Sequence, residues 1–292
     1  MKKPFLMAVA AVALEGLLAS CILVSNPEGE PGWRTTPESS GKPRVSGSEF
    51  RQTFPFTPGG TLSLENDYGD VEITGWDRDE VEVVAKAATG AAQLQRSARQ
   101  SRGRGGSPEV EVRETNEGLL IRTATFEGPG QAPAANYEVQ APNSVVLTGI
   151  RISEGNLTVA DVFGRIDASV DLGDLTVRNY SGPLRATVGT GNADVEVLDL
   201  RDGDEISITS RRGDIFLRLE SGVGAIIEAD APNGQVSSDF DLGMKLPAST
   251  VKGWIGQGGP TIILRASAGR IRIIKTVAAG ATPAAAKAGK RG

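Results

Sequence analysis

Along most of this chain apolar residues recur two positions apart in short runs, and glycine punctuates the runs. Side chains on a strand alternate between faces, so such pairs mark the buried side of short β-strands. The pattern is clearest from Gly155 to Val195, where glycines fall at 155, 164, 173, 182 and 191. Two places after each glycine sit Leu157, Ile166, Leu175, Leu184 and Ala193, and four places after sit Val159, Ala168, Val177, Ala186 and Val195. The units alternate in kind. Those starting at 155, 173 and 191 carry Asn or Asp after the glycine and Val at the fourth place, whereas those at 164 and 182 carry Ala there. The true period is therefore eighteen, with two short strands per turn.

One strand and one turn cannot bury an apolar face alone, so each unit must stack on neighbours. This predicts an all-β fold: a β-solenoid, parallel β-helix-like, with about 18–20 residues per turn. Glycine suits corners that need a positive φ, and Asn or Asp beside it satisfies turn backbone groups. Calcium-binding nonapeptide repeats also place glycine every nine residues, but they need paired glycines and an acidic residue that these units lack.

The same alternation extends outward. Residues 49–56, 61–65 and 80–86 read as strands, 109–113 and 119–126 as a hairpin joined by Thr115-Asn-Glu-Gly, and 135–147 lead into the repeat. After Val195 the spacing loosens, with glycines at 203, 213, 224 and 234 each preceding an apolar run, and a final pair at 258–264 and 269–274. A domain over 48–275 is expected, interrupted at 87–108 by a basic loop or short helix containing Arg96, Arg99, Arg102 and Arg104.

The chain's ends have a different composition. Residues 1–21 read as a lipoprotein-type signal: Lys2 and Lys3, an apolar run over 5–14, then Leu18-Ala-Ser-Cys21. Cys21 is the only cysteine, so it forms no internal disulfide, and its place makes it the expected lipidation site. Acyl chains contribute about 0.8 kcal/mol per buried CH₂, so more than one would hold the protein on a membrane. Residues 22–47 and 276–292 read as a flexible tether and a disordered tail.

These elements together resemble the DUF4097 family, β-solenoid domains catalogued as adhesins. The resemblance rests on Gly69-Asp-Val-Glu-Ile-Thr-Gly-Trp, Tyr137-Glu-Val-Gln-Ala-Pro, the run of Gly-Asp/Asn-apolar units, and Gly256-Gln-Gly-Gly-Pro-Thr-Ile-Ile-Leu with Gly269-Arg-Ile-Arg-Ile. It spans about residues 48–275 and implies a solenoid in a cell envelope. It implies no chemistry, because the family has no agreed catalytic or ligand-binding residues.

Composition narrows the chemistry. Histidine is absent, which removes the commonest general base and metal ligand, and Cys21 is committed to the anchor. The net charge of −5 and the lack of interleaved aromatics argue against a nucleic-acid partner. No catalytic, cofactor or metal residue is expected. The one candidate surface is a corner where Asn156, Asp174, Asn192 and Asp214 should align on successive turns, with Asp161 and Asp171 nearby. Turn chemistry explains that corner most simply; the alternative is an acidic site, with or without Ca²⁺, for binding or cleaving polysaccharide. Thr158, Thr176, Asp167 and Arg185 suggest a polar outer surface, while Trp76 and Trp254 should cover the solenoid's two ends. The expectation is an exported, lipid-anchored, non-catalytic envelope protein facing periplasm or exterior. Its partners would be the membrane, through the anchor, and an envelope protein or glycan, with self-association of solenoid ends as a further possibility.

Overall fold

In the computed structural model the described residues are 49–87, 110–115, 118–123, 134–243 and 246–276, all within the unit Lys42–Gly292. The signal with Cys21, the tether, nearly all of the 87–108 insertion and all but the first residue of the tail lie outside them.

The described residues form twenty strands in two ten-stranded sheets. In the centre each turn gives one strand to each sheet: β8 (Val146–Glu154) to one and β9 (Leu157–Ala160) to the other, then β10 (Ile166–Leu172) and β11 (Leu175–Ser181), β12 (Leu184–Thr190) and β13 (Ala193–Asp199), β14 (Glu205–Arg212) and β15 (Ile215–Glu220). Pairing between turns is parallel. Leu157 lies beside Leu175 and Ile166 beside Leu184, the eighteen-residue period of the sequence; β13 and β15 then pair Ala193 with Ile215. The solenoid of two strands per turn is what the apolar alternation requires.

The inner faces meet in a core of stacked rows. One row runs Leu119, Leu62, Leu147, Ile166, Leu184, Ile206, Ile262, Ile227; the facing sheet contributes Tyr137, Val71, Leu157, Leu175, Ala193, Ile215, Ile271, Val236. All are buried, and a fully buried Leu, Ile or Val contributes about 1.5–3 kcal/mol.

Stacking order departs from chain order at both ends. β2 (Thr61–Tyr68) and β3 (Val71–Trp76) form a turn lying between the one made by β8 and β9 and the later one made by β6 (Gly118–Thr123) and β7 (Ala135–Pro142). At the other end β19 (Thr261–Ala266) and β20 (Ile271–Thr276) slot between β14/β15 and the earlier turn of β16 (Ala225–Asp230) and β17 (Val236–Ser238). The parallel stack is closed by antiparallel strands. β4 (Glu80–Ala87) and β1 (Glu49–Pro55) follow β7 in its sheet, while β5 (Val110–Thr115) and β18 (Thr250–Ile255) lie at the two extremes of the other. The β5–β6 pair is the expected hairpin.

Neither tryptophan covers an end. Trp76 closes β3 inside the stack; its indole N–H donates to the Glu80 carbonyl at 2.8 Å, and the Arg78 guanidinium lies over its ring at 4.7 Å. Trp254 is 63% exposed on an outer face. Buried Phe50, Phe54 and Phe56, in and after β1, and Phe240 and Leu242, after β17, take the terminal positions instead.

Candidate functional site

The candidate corner is where the chain passes from one sheet to the other through two residues, a glycine and an Asn or Asp: Gly69-Asp70, Gly155-Asn156, Gly173-Asp174, Gly191-Asn192 and Gly213-Asp214. At Gly173 φ is +143°, and a Cβ would collide with the Gly155 carbonyl oxygen of the rung below; the same collision recurs along the row. Only glycine lets successive corners approach at the spacing of hydrogen-bonded strands.

The four predicted residues are brought together as one ladder. Each side-chain oxygen accepts the backbone N–H of the residue one rung on: Asn156 Oδ1 from Asp174 at 2.9 Å, Asp174 Oδ1 from Asn192 at 2.7 Å, and Asn192 Oδ1 from Asp214 at 2.9 Å. The ladder extends beyond the predicted set. Asn136 Oδ1 accepts from the Asp70 N–H at 2.9 Å, Asp70 Oδ1 from that of Asn156 at 2.8 Å, and Asp214 Oδ1 from that of Arg270 at 2.8 Å. The full order is Asn136, Asp70, Asn156, Asp174, Asn192, Asp214, Arg270. No two carboxylates occupy adjacent rungs, so the nearest are about 10 Å apart, roughly a Debye length, and their repulsion is small. Arg270 ends the row with its guanidinium on Asp214 Oδ2 at 2.8 Å, which holds the Asp214 carboxyl below the usual carboxylate range.

Only two polar residues are buried in the described structure, and both serve this corner. Asn66, three places before Gly69, donates from Nδ2 to the Gly69 and Ala135 carbonyls at 3.0 and 2.9 Å; Ser210, three places before Gly213, donates to the Gly213 carbonyl at 3.2 Å. Thr123 hydroxyl bonds Asn66 Oδ1 and the Tyr137 hydroxyl, and burial pushes the Tyr137 phenol up to about 12.

Asp161 is not near the ladder. It lies after β9 at the opposite corner, at φ +59°, where Asn179 Nδ2 donates to its carboxylate. Five places past Asn156 the chain has already run the length of β9, so Asp161 falls on the other side. Tyr180 anchors that corner, buried, its hydroxyl 2.6 Å from the Pro183 carbonyl and 3.0 Å from that of Gly164; burial pushes its phenol up. Asp171 stays exposed on an outer face beside Gly189.

The outer faces carry short polar side chains and ion pairs. Thr158 and Thr176 are half-buried, Asp167 and Arg185 exposed. The sequence did not single out Asp194, whose carboxylate lies between the Arg178 guanidinium at 2.9 Å and that of Arg218. Burial lowers the Arg218 pKa, and the neighbouring Arg178 adds to the effect. Stepping along the eighteen-residue register by two places would have found this group. Beside the first rungs lies a shallow groove of about 340 Å³, lined by Asp70, Glu72, Asn136, Glu138, Asn156 and Thr158 among others. Among the described residues, no three or more Asp, Glu, His or Cys side chains gather as the ligands of an ion would.

No protein-family model matches this chain, and no curated protein does. Among solved structures, a "putative cell adhesion protein" from Clostridium sporogenes is similar to it at 14% identity, over 78% of this chain and 100% of that one, with a TM-score of 0.42. A "putative adhesin" from Bacteroides fragilis is similar at 11% identity over 77% and 97% of the two chains (TM-score 0.25), and a "putative lipid binding protein" from Parabacteroides distasonis at 8% over 80% and 96% (TM-score 0.27).

Proposed function

We propose that this is a lipid-anchored envelope protein of the DUF4097 type, acting as an adhesin or scaffold by binding and not by catalysis. The observation that carries the reading is the use made of the acidic corner. Every Asn and Asp of the predicted set spends a side-chain oxygen on a backbone N–H of the next rung. Amide rungs hold the carboxylates about 10 Å apart with one oxygen of each spent on the ladder, whereas the paired acids of glycoside chemistry stand about 5–9.5 Å apart across the scissile bond. Recognition then falls to the broad outer faces, whose Thr, Ser and paired charges offer many weak polar contacts over a rigid surface. Cys21 supplies the anchor in this reading, and residues 22–47 hold the domain off the membrane.

Crosslinked capture from whole envelopes, run beside a Cys21→Ser form, tests it. Release of the Cys21→Ser form into the soluble fraction and recovery of a defined partner with the anchored form are expected. Glycan recovered equally with both forms, and lost on Asp174→Ala with the fold intact, would overturn the reading in favour of a polysaccharide site.

A further inference from the structure

Two sheets leave four outer edges among the described strands, and an exposed edge is a template for pairing with another chain. Three are blunted. β17 has three residues; β1 ends in Pro55 and carries Glu49 and Arg51 paired with each other; β5 carries Glu111, Arg113 and Glu114. β18 differs, with six residues and a single charge, Lys252.

Its backbone polarity follows from its pairing with β16. The Ala231 N–H donates to the Ser249 carbonyl at 2.7 Å, so in this antiparallel register Val251, Gly253 and Ile255 turn their N–H and C=O groups toward β16. Thr250, Lys252 and Trp254 turn theirs outward, and among the described residues these groups have no backbone partner in a neighbouring loop. The side chains divide the same way: Val251 and Ile255 are buried, while Trp254 is 63% exposed beside Ile226 at 43%. An aromatic ring and an ammonium thus stand two places apart on one face of an open strand.

We propose that a second copy of this chain docks on β18, strand against antiparallel strand, about a two-fold axis through Gly253. In that register Lys252 of each copy lies opposite Trp254 of the other, so two cation–π contacts form and both exposed rings are covered. Lys252 and Trp254 are the residues with outward backbone groups, so their pairs also form the ladder bonds. An axis through Lys252 would bring Thr250 into the ladder as well, but it sets two ammoniums directly opposite each other and leaves each ring facing a threonine. The inner row continues across the junction as Val251 against Ile255, joining two sheets into one. This association stands apart from the adhesin reading, since strand pairing needs no envelope ligand.

The test uses the full chain with Cys21→Ser, which removes the proposed lipid attachment site and the only native thiol. Sedimentation velocity over a wide concentration range should give a monomer–dimer equilibrium. Trp254→Lys, which sets lysine against lysine without touching the core, should stay monomeric with an unchanged melting temperature. Lys252→Cys mixed with Trp254→Cys should crosslink faster than either alone. A Cys21→Ser parent that stays monomeric at every concentration, whether β18 serves a foreign strand, a glycan or nothing, overturns the proposal. So does a Trp254→Lys form that dimerises as well as the parent, or a Lys252→Cys form that crosslinks fastest by itself.

Discussion

The two corners of each central turn handle chain length in opposite ways. Between β2 and β3, β8 and β9, β10 and β11, β12 and β13, and β14 and β15 the Gly-Asx corner keeps two residues. The opposite corner spans 161–165, 182–183 and 200–204 in successive turns, and the long excursions 77–145 and 221–260 also leave from it. The difference lies in what each corner must touch. At the first, backbone stacks on backbone with no room for a Cβ, and each rung bonds the next through a side-chain oxygen. At the second, backbone also packs closely at Gly75 and Gly164, but among the described residues no side-chain ladder runs from turn to turn; side chains such as Tyr180 fill the interior and the connection varies from two to five residues. Repetition is enforced on one side and variation is collected on the other.

The contrast can be broken most severely by adding residues. Four Gly and Ser residues after Asp202 should lower stability by less than about 1 kcal/mol, because loop closure grows only slowly with length. The same insert after Gly173 should unfold the domain, as urea denaturation followed by circular dichroism would reveal. Gly173→Ala is the finer form of this test. It combines a positive-φ penalty with a collision against fixed backbone and should cost about 3 kcal/mol or more. Gly203→Ala, at φ +91° with open space around it, should cost only about 1–2 kcal/mol.

Next come the buried hydrogen-bonding groups. Asn66→Ala leaves two corner carbonyls unpaired and should cost about 2–3 kcal/mol; Tyr180→Phe, which removes one donor at the other corner, about 1–2 kcal/mol. Thermal melts of both variants check the order.

Charge effects are smaller. The Asp214 carboxyl is lowered in the folded state by Arg270, so its contribution is present above the ordinary carboxylate range and is lost as pH falls through the depressed value. Melting temperatures between pH 7 and pH 3 should therefore fall further for the parent than for Asp214→Asn by about the effect of one exposed ion pair. Asp174→Asn should be the mildest, within about 0.5 kcal/mol, since an amide oxygen accepts the Asn192 N–H as a carboxylate does.

The sequence pattern reveals most of this fold and its corner. The eighteen-residue period, the two strands per turn and the aligned Asn156, Asp174, Asn192 and Asp214 all follow from alternation plus glycine, because a solenoid repeats its physics locally. Asp70 and Arg270 follow the same glycine rule and were within reach; Asn136 follows Ala135, so it carried no such signal. Trp254 was misplaced although parity pointed outward, since Val251 and Ile255 take the inner positions. The order of stacking was not legible. β16, β17, β19 and β20 offer similar apolar alternation, and nothing local decides which of them lies against β14 and β15.

That misordered end also constrains how the molecule is made. β15 finds its neighbour β20 fifty-six residues further on, and the turn of β16 and β17, although synthesised first, has only β18 and its approach to pair with and no link to the central stack until then. A chain delivered N-terminus first cannot lay down this solenoid course by course. Its last described strand is an interior one, so native structure at that end waits for residue 276, and the long loop must close before any contact rewards it. Completion of the fold at that end waits on β20, and a molecule cut short before β19 lacks both the inserted turn and the support for the turn beyond it.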